Sequence, residues 1–155
     1  MKNIKLLLFV SVLLGFLACE KPTYDVDVSI KNHTPYLVHQ WKLSEVTQVD
    51  AKAGPGQLKE VDISQAVLNT GESMLEFSDG NFTASGFASD LFGASGSWAL
   101  DNPEFPTSIV VNGGTNIALS RSILEFSKEL IVQNDIINCV DNSVSTSYIY
   151  TFEKQ

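Results

Sequence analysis

The chain has 155 residues, 44% of them hydrophobic, and a formal charge of −8 at pH 7. That is one domain's worth of sequence with enough apolar side chains to bury a core. So acidic a domain is a poor match for nucleic acid and feels no electrostatic pull toward anionic lipid headgroups.

Residues 1–19 read MKNIKLLLFVSVLLGFLAC. Lys2 and Lys5 mark the basic start of an apolar run that extends to Leu17, shorter than the roughly 20 apolar residues of a membrane span. The run stops at Leu17-Ala18-Cys19 and is followed by Glu20-Lys21-Pro22. This is the pattern of a secretion signal ending in a lipobox. Residues 1–18 are expected to be removed, leaving Cys19 first in the mature chain with a diacylglycerol thioether and an acylated amine. A plain cleaved signal followed by an ordinary cysteine is the alternative. Two or more acyl chains make a stable anchor, so the expected address is the cell envelope, held by lipid on Cys19. Losing Lys2 and Lys5 but no acid takes the formal charge from −8 to −10. With Cys19 acylated, Cys139 has no partner in the chain, and the domain must stand on its core without a disulfide.

Residues 19–35 are polar, acidic at Glu20, Asp25 and Asp27, and carry Pro22 and Pro35. They read as a flexible tether whose 16 residues after the cysteine reach about 50 Å when stretched. The alternation Tyr24, Val26, Val28, Ile30 is also compatible with a short edge strand. Residues 36–155 form the domain. Leu37, His39, Trp41 and Leu43 alternate with Val38, Gln40, Lys42 and Ser44, predicting a first strand that runs to about Val49. Residues 51–71 interrupt the pattern with a Gly54-Pro55-Gly56 turn and a short helix over 63–69, capped by Asp62 and ending before Gly71. Gly54-x-Gly56 is no dinucleotide fingerprint, because Lys59 stands where the third glycine belongs.

A meander comes next. Strands are predicted over 72–77 and 82–87, joined by the turn Ser78-Asp79-Gly80-Asn81. Residues 86–93 form a loop holding Phe87, Leu91 and Phe92, which either tucks under as a plug or stands out as a contact patch. Further strands are expected over 94–100, 107–112, 117–126, 129–133 and 143–154, with a two-proline turn at 101–106. That makes eight strands and no room for repeated crossover helices, so the sheet is antiparallel. Eight such strands in succession close into an up-and-down barrel with a short helix in the loop after strand 1. A two-sheet sandwich would use the same strands.

Residues able to do chemistry are few. His33, His39 and Cys139 are too scattered to be a zinc site, and Gly93-Ala94-Ser95-Gly96-Ser97 has the wrong order for a nucleophile elbow. Cys139 has no basic residue beside it in sequence and reads as a small buried apolar side chain. Asp135 and Asp141, with Asn134, Asn138 and Asn142, offer calcium-type oxygens but lack EF-hand spacing and suit ordinary turns equally. No base and nucleophile pair is visible, so the chain is read as non-enzymatic, without cofactor or metal. The stronger set is aromatic: Trp41, Phe77, Phe82, Trp98, Tyr148 and Tyr150. In a closed barrel these line the interior, either packed solid or leaving a pocket in which tyrosine hydroxyls orient a ligand.

Trp41 early in strand 1, the large loop after it, Phe-Ser-Asp-Gly-Asn-Phe at 77–82, Gly-Ser-Trp at 96–98 and the aromatic last strand together resemble small lipocalin-like lipoproteins of Gram-negative bacteria. The resemblance spans residues 36–154. The family's Gly-x-Trp is here His39-Gln40-Trp41, without the glycine, and Lys154 is the positional candidate for the basic residue that covers the tryptophan. The resemblance implies an outer-membrane lipoprotein with a calyx for a small hydrophobic ligand. The alternative is a solid barrel whose 51–71 or 86–93 loop docks another envelope protein.

Overall fold

A computed structural model describes residues 32–54, 57, 59–69, 71–124 and 127–155. The signal segment, Cys19 and most of the tether lie outside the described residues, as do Pro55 and Gly56 of the predicted turn. Within those described, twelve elements run in order: α1 (Thr34–Leu37), β1 (Gln40–Asp50), β2 (Glu60–Asp62), α2 (Ser64–Leu68), β3 (Met74–Phe77), β4 (Asn81–Ser85), α3 (Phe87–Phe92), β5 (Ser95–Leu100), β6 (Ser108–Val111), β7 (Thr115–Leu119), β8 (Glu129–Ile137) and β9 (Val144–Lys154). Every strand pair is antiparallel.

β1 and β3–β9 pair in sequence order, and β9 returns to pair with β1 from Trp41↔Lys154 to Asp50↔Thr146. This last ladder closes an eight-stranded barrel and rules out the sandwich, in which the first and last strands would lie in separate layers. β2 is an additional short strand, held on the far end of β1 through Thr47↔Asp62 and Val49↔Glu60. Lys59, Glu60 and Asp62 are too polar for the strand to announce itself by periodicity.

Several boundaries differ from the predicted ones for identifiable reasons. The first strand starts at Gln40 rather than near Leu37, because Pro35 sits in the first turn of α1 and favours a helical start there. β1 also carries a bulge between Leu43 and Glu45. The extra residue, Ser44, donates its hydroxyl to the Thr151 carbonyl at 3.1 Å, and the inward parity moves from Trp41 and Leu43 to Val46. Residues 117–126 are not one kinked strand: β7 ends at Leu119, and Ser120 makes a last bond to Ile131. β8 instead runs four residues past the predicted end, to Ile137. The 63–69 helix forms over Ser64–Leu68, with Asp62 Oδ1 accepting from the Ser64 N–H at 2.8 Å.

The core is the inside of the barrel. Trp41, Leu43, Val46, Leu75, Phe77, Phe82, Ile109, Leu130, Val132 and Phe152 are almost wholly shielded from solvent. Each such large side chain stabilises the fold by about 2–3 kcal/mol through burial. The chain enters at one end, here the proximal end, where α1, the β3–β4 turn and the β5–β6 and β7–β8 loops gather. The opposite, distal end holds β2, α2, α3 and the β8–β9 turn. α1 closes the proximal end: Leu37 is fully buried, and the Trp41 indole N–H donates to its carbonyl at 2.9 Å.

Candidate functional site

The distal end is built from strands of unequal length. β1 pairs with β3 only through Lys42, and β7 reaches β8 only through Gln133, whereas β1 and β9 stay paired to Asp50 and Thr146. The far halves of β1, β8 and β9, with β2 beside them, therefore extend past the shorter strands as a curved tongue. Cross-strand register places Val61, Gln48, Tyr148 and Asn134 in one row on its inner face. The next row is Asp50, Thr146 and Ile136. Gln48 and Tyr148 are half-buried, while Val61 and Ile136 are exposed.

The 86–93 segment, expected as a loop, is the helix α3, and it enters the barrel from this end. Gly86 and Gly93 bracket it with φ of +59° and +86°, a conformation that other residues adopt only with strain. Ser73 fixes its first turn. The buried hydroxyl accepts the Ala88 N–H at 2.7 Å and donates to the Ser85 carbonyl at 3.4 Å. Phe92 is 3% exposed and fills the middle of the barrel, edge-on to Phe77 (6.0 Å), Phe82 (6.2 Å) and Phe152 (6.2 Å between ring centroids). Phe87, nearer the surface, lies over Tyr150 at 5.6 Å. Of the two alternatives for this segment, the plug is the one realised.

Five of the six aromatic candidates consequently pack as core rather than ringing an open calyx, and Tyr148 is half-buried beside them. Trp41, Phe77, Phe82, Trp98 and Tyr150 are buried, and Phe77 sits 4.9 Å from Trp98 and 6.4 Å from Phe82. The Trp98 indole N–H is satisfied by the Ser78 carbonyl at 2.8 Å. Tyr148 and Tyr150 do share the inner face of β9, at the distal end. Burial, and secondarily the neighbouring Tyr148, push the Tyr150 phenol above its usual range. Trp41 and Lys154 are register partners across the closing ladder. Burial, then the Lys154 charge, lower the basicity of His39, whose ring lies edge-on to Trp41 at 6.2 Å.

The described recesses lie elsewhere. One of about 190 Å³ sits at the distal end between α3 and β7–β8, lined by Asp90, Leu91, Thr115, Asn116, Ile117, Gln133 and Asn134. A groove of about 320 Å³ runs beneath α2, along Lys42, Leu43, Leu68, Gly71, Glu72 and Ser73. Another, of about 300 Å³, lies along the β3–β4 hairpin. The distal recess is mostly amide and hydroxyl, so it suits hydrogen-bonding surface better than an apolar molecule. Gln48 escapes a sequence reading because a polar side chain inside a barrel mouth looks like part of an outward face.

Cys139 is not a buried apolar side chain. It is exposed on the β8–β9 turn, since the Asn138–Ser143 segment folds outward on its own bonds, with the Val140 N–H donating to Asn138 Oδ1 and the Ser143 N–H and hydroxyl donating to Asp141 Oδ1. Asp135 accepts from Ser147 and Gln133. Oxygens of Asp135, Asn138 and Asp141 are thus engaged in hydrogen bonds within the chain, and among the described residues no three His, Cys, Asp or Glu side chains converge as a metal site. Among the same residues no helix is long and apolar enough to cross a membrane. No family model matches the chain, and no curated protein matches it.

Proposed function

We propose that this chain is a lipid-anchored, non-enzymatic envelope lipoprotein whose lipocalin-like barrel is a rigid scaffold that docks another envelope protein through its distal end. The lipobox ending at Cys19 supports the anchor and the outer-membrane address. Phe92 carries the docking reading: with the barrel's centre filled by this ring, recognition falls to outer surfaces. The tongue, α2 and the distal recess are the shaped ones. A non-catalytic role fits the positions of the reactive groups, since His33 and His39 stand at the proximal end and Cys139 on the distal turn.

A second reading, capture of a small hydrophobic ligand, is favoured by the two positive-φ glycines that bracket α3. Withdrawal of that helix would open a volume bordered by Phe77, Phe82, Trp98, Tyr148 and Tyr150, with Trp41 at its floor. Native mass spectrometry of the purified protein separates the two: the docking reading expects the mass of the acylated chain alone, the ligand reading a co-purified small molecule besides. Cys19→Ser is expected to abolish lipidation and release the protein into the soluble periplasmic fraction. Unchanged detergent-dependent partition would overturn the anchor.

A further inference from the structure

The tether leaves the barrel beside the most exposed aromatic side chain among the described residues. His33 brings its backbone N–H to the Pro103 carbonyl at 2.8 Å and its Nδ1 to the same oxygen at 3.1 Å. Phe105, two residues on, is 68% exposed. Its backbone is not loose, because Asn102 Oδ1 accepts the N–H groups of Glu104 and Phe105 at 2.9 and 3.2 Å. The neighbouring β7–β8 loop presents Leu124, 59% exposed, on a backbone held by Ser127 Oγ at 2.9 Å. The two loops join at their bases, where the Leu119 N–H meets the Thr107 carbonyl at 2.8 Å. Two large apolar side chains thus stand out from adjacent, internally bonded loops at the end where the anchored segment arrives.

We infer that this proximal end faces the bilayer, with Phe105 and Leu124 inserted among the lipid headgroups and acyl chains and the distal end turned away. The inference rests on the anchor proposed above. Apolar partition drives the contact, since the domain is acidic and gains nothing from anionic headgroups. A tether raises the local concentration of a weak contact to the millimolar range, so two side chains suffice to set an orientation.

The rival surface is the distal turn, where Val140 is 93% and Ile136 and Ile137 are each 47% exposed. The tether disfavours it. Twelve residues separate Cys19 from Asn32, and the thirteen steps between the two span about 45 Å at full stretch, whereas β9, about 36 Å long and tilted as barrel strands are, covers about 28 Å of the barrel's height. Reaching the distal face would use more than half of the tether's full extension, at an entropic cost, while the proximal face needs no stretch.

The test uses the acylated protein in phosphatidylcholine vesicles carrying a nitroxide-labelled lipid. An environment-sensitive NBD maleimide is attached to Phe105→Cys or Leu124→Cys, each with Cys139→Ser, and separately to the native Cys139. Acylated Cys19 does not react. Blue-shifted emission with several-fold stronger quenching at 105 and 124 than at 139 is the expected result. Equal quenching at all three positions, or stronger quenching at 139, overturns the orientation while the protein still floats with the vesicles. Failure to float overturns the anchor itself.

Discussion

Trp41 and Leu37 are tied across the foot of the barrel: the indole N–H of one donates to the carbonyl of the other at 2.9 Å, and both side chains are fully buried. Trp41→Phe keeps a ring in place but leaves that carbonyl without its donor and a gap beside it. The expected loss is about 2–4 kcal/mol by urea unfolding. A change below about 0.5 kcal/mol would show that α1 is not fastened through this bond.

Phe92→Ala removes the plug's deepest ring from contact with Phe77, Phe82 and Phe152. Stability should fall by about 3–5 kcal/mol. The variant should also take up benzene-sized apolar molecules, which the parent protein should not, because a void lined by aromatic side chains stays dry. Equal uptake by both proteins, read by ligand-detected NMR, would mean the parent already opens.

The two glycines that bracket α3 should respond unequally to alanine. At Gly86 a Cβ would fall 2.5 Å from the Glu72 carbonyl oxygen, and the φ of +59° is itself strained for alanine. At Gly93 nothing lies within 4 Å, and only the φ of +86° opposes the change. Gly86→Ala should cost at least about 2 kcal/mol and Gly93→Ala about 1 kcal/mol. Thermal unfolding of the pair checks the order.

Asp101 is one group through which acid should act. Burial alone would raise its pKa, but hydrogen bonds from the Thr107 hydroxyl and from the Ser108, Thr107 and Asn102 backbone outweigh it and hold the carboxyl at about 2, against 3.8 ordinarily. A carboxylate whose folded pKa is depressed stabilises the fold above its unfolded value and loses that contribution as pH falls through the folded one. Stability should thus decline between about pH 4 and pH 2, and Asp101→Asn should flatten that part of the profile. An unchanged slope in urea titrations at those pH values would refute the assignment.

Cys139 should react as an open thiol. One equivalent of a thiol reagent is expected to modify the folded protein at the rate of a small-molecule thiol, with no prior unfolding. Protection until denaturant is added would contradict its exposure on the distal turn.

Much of the barrel was legible because its strands alternate and its turns carry their own chemistry, as at 77–82, where Phe77 and Phe82 are paired across the hairpin. The bulge at Ser44 was not, because one extra residue leaves no local mark and only resets the parity of the rest of the strand. Nor was the helix at 87–92, since six residues between glycines look like a loop until Phe92 finds its partners inside. β2 is charged and owes its existence to the free flank of β1. Alternation groups the aromatic candidates by facing. Whether they enclose space is decided by a side chain from another segment, and alternation within strands carries no information about that.

The pairing of Trp41 with Lys154 and of Asp50 with Thr146 joins the opening of the domain to its finish. During synthesis β1 therefore waits for its second neighbour until residues 144–154 have been made, and the ring cannot shut earlier. A domain built this way cannot close its ring on either side of a membrane until β9 has arrived on that side.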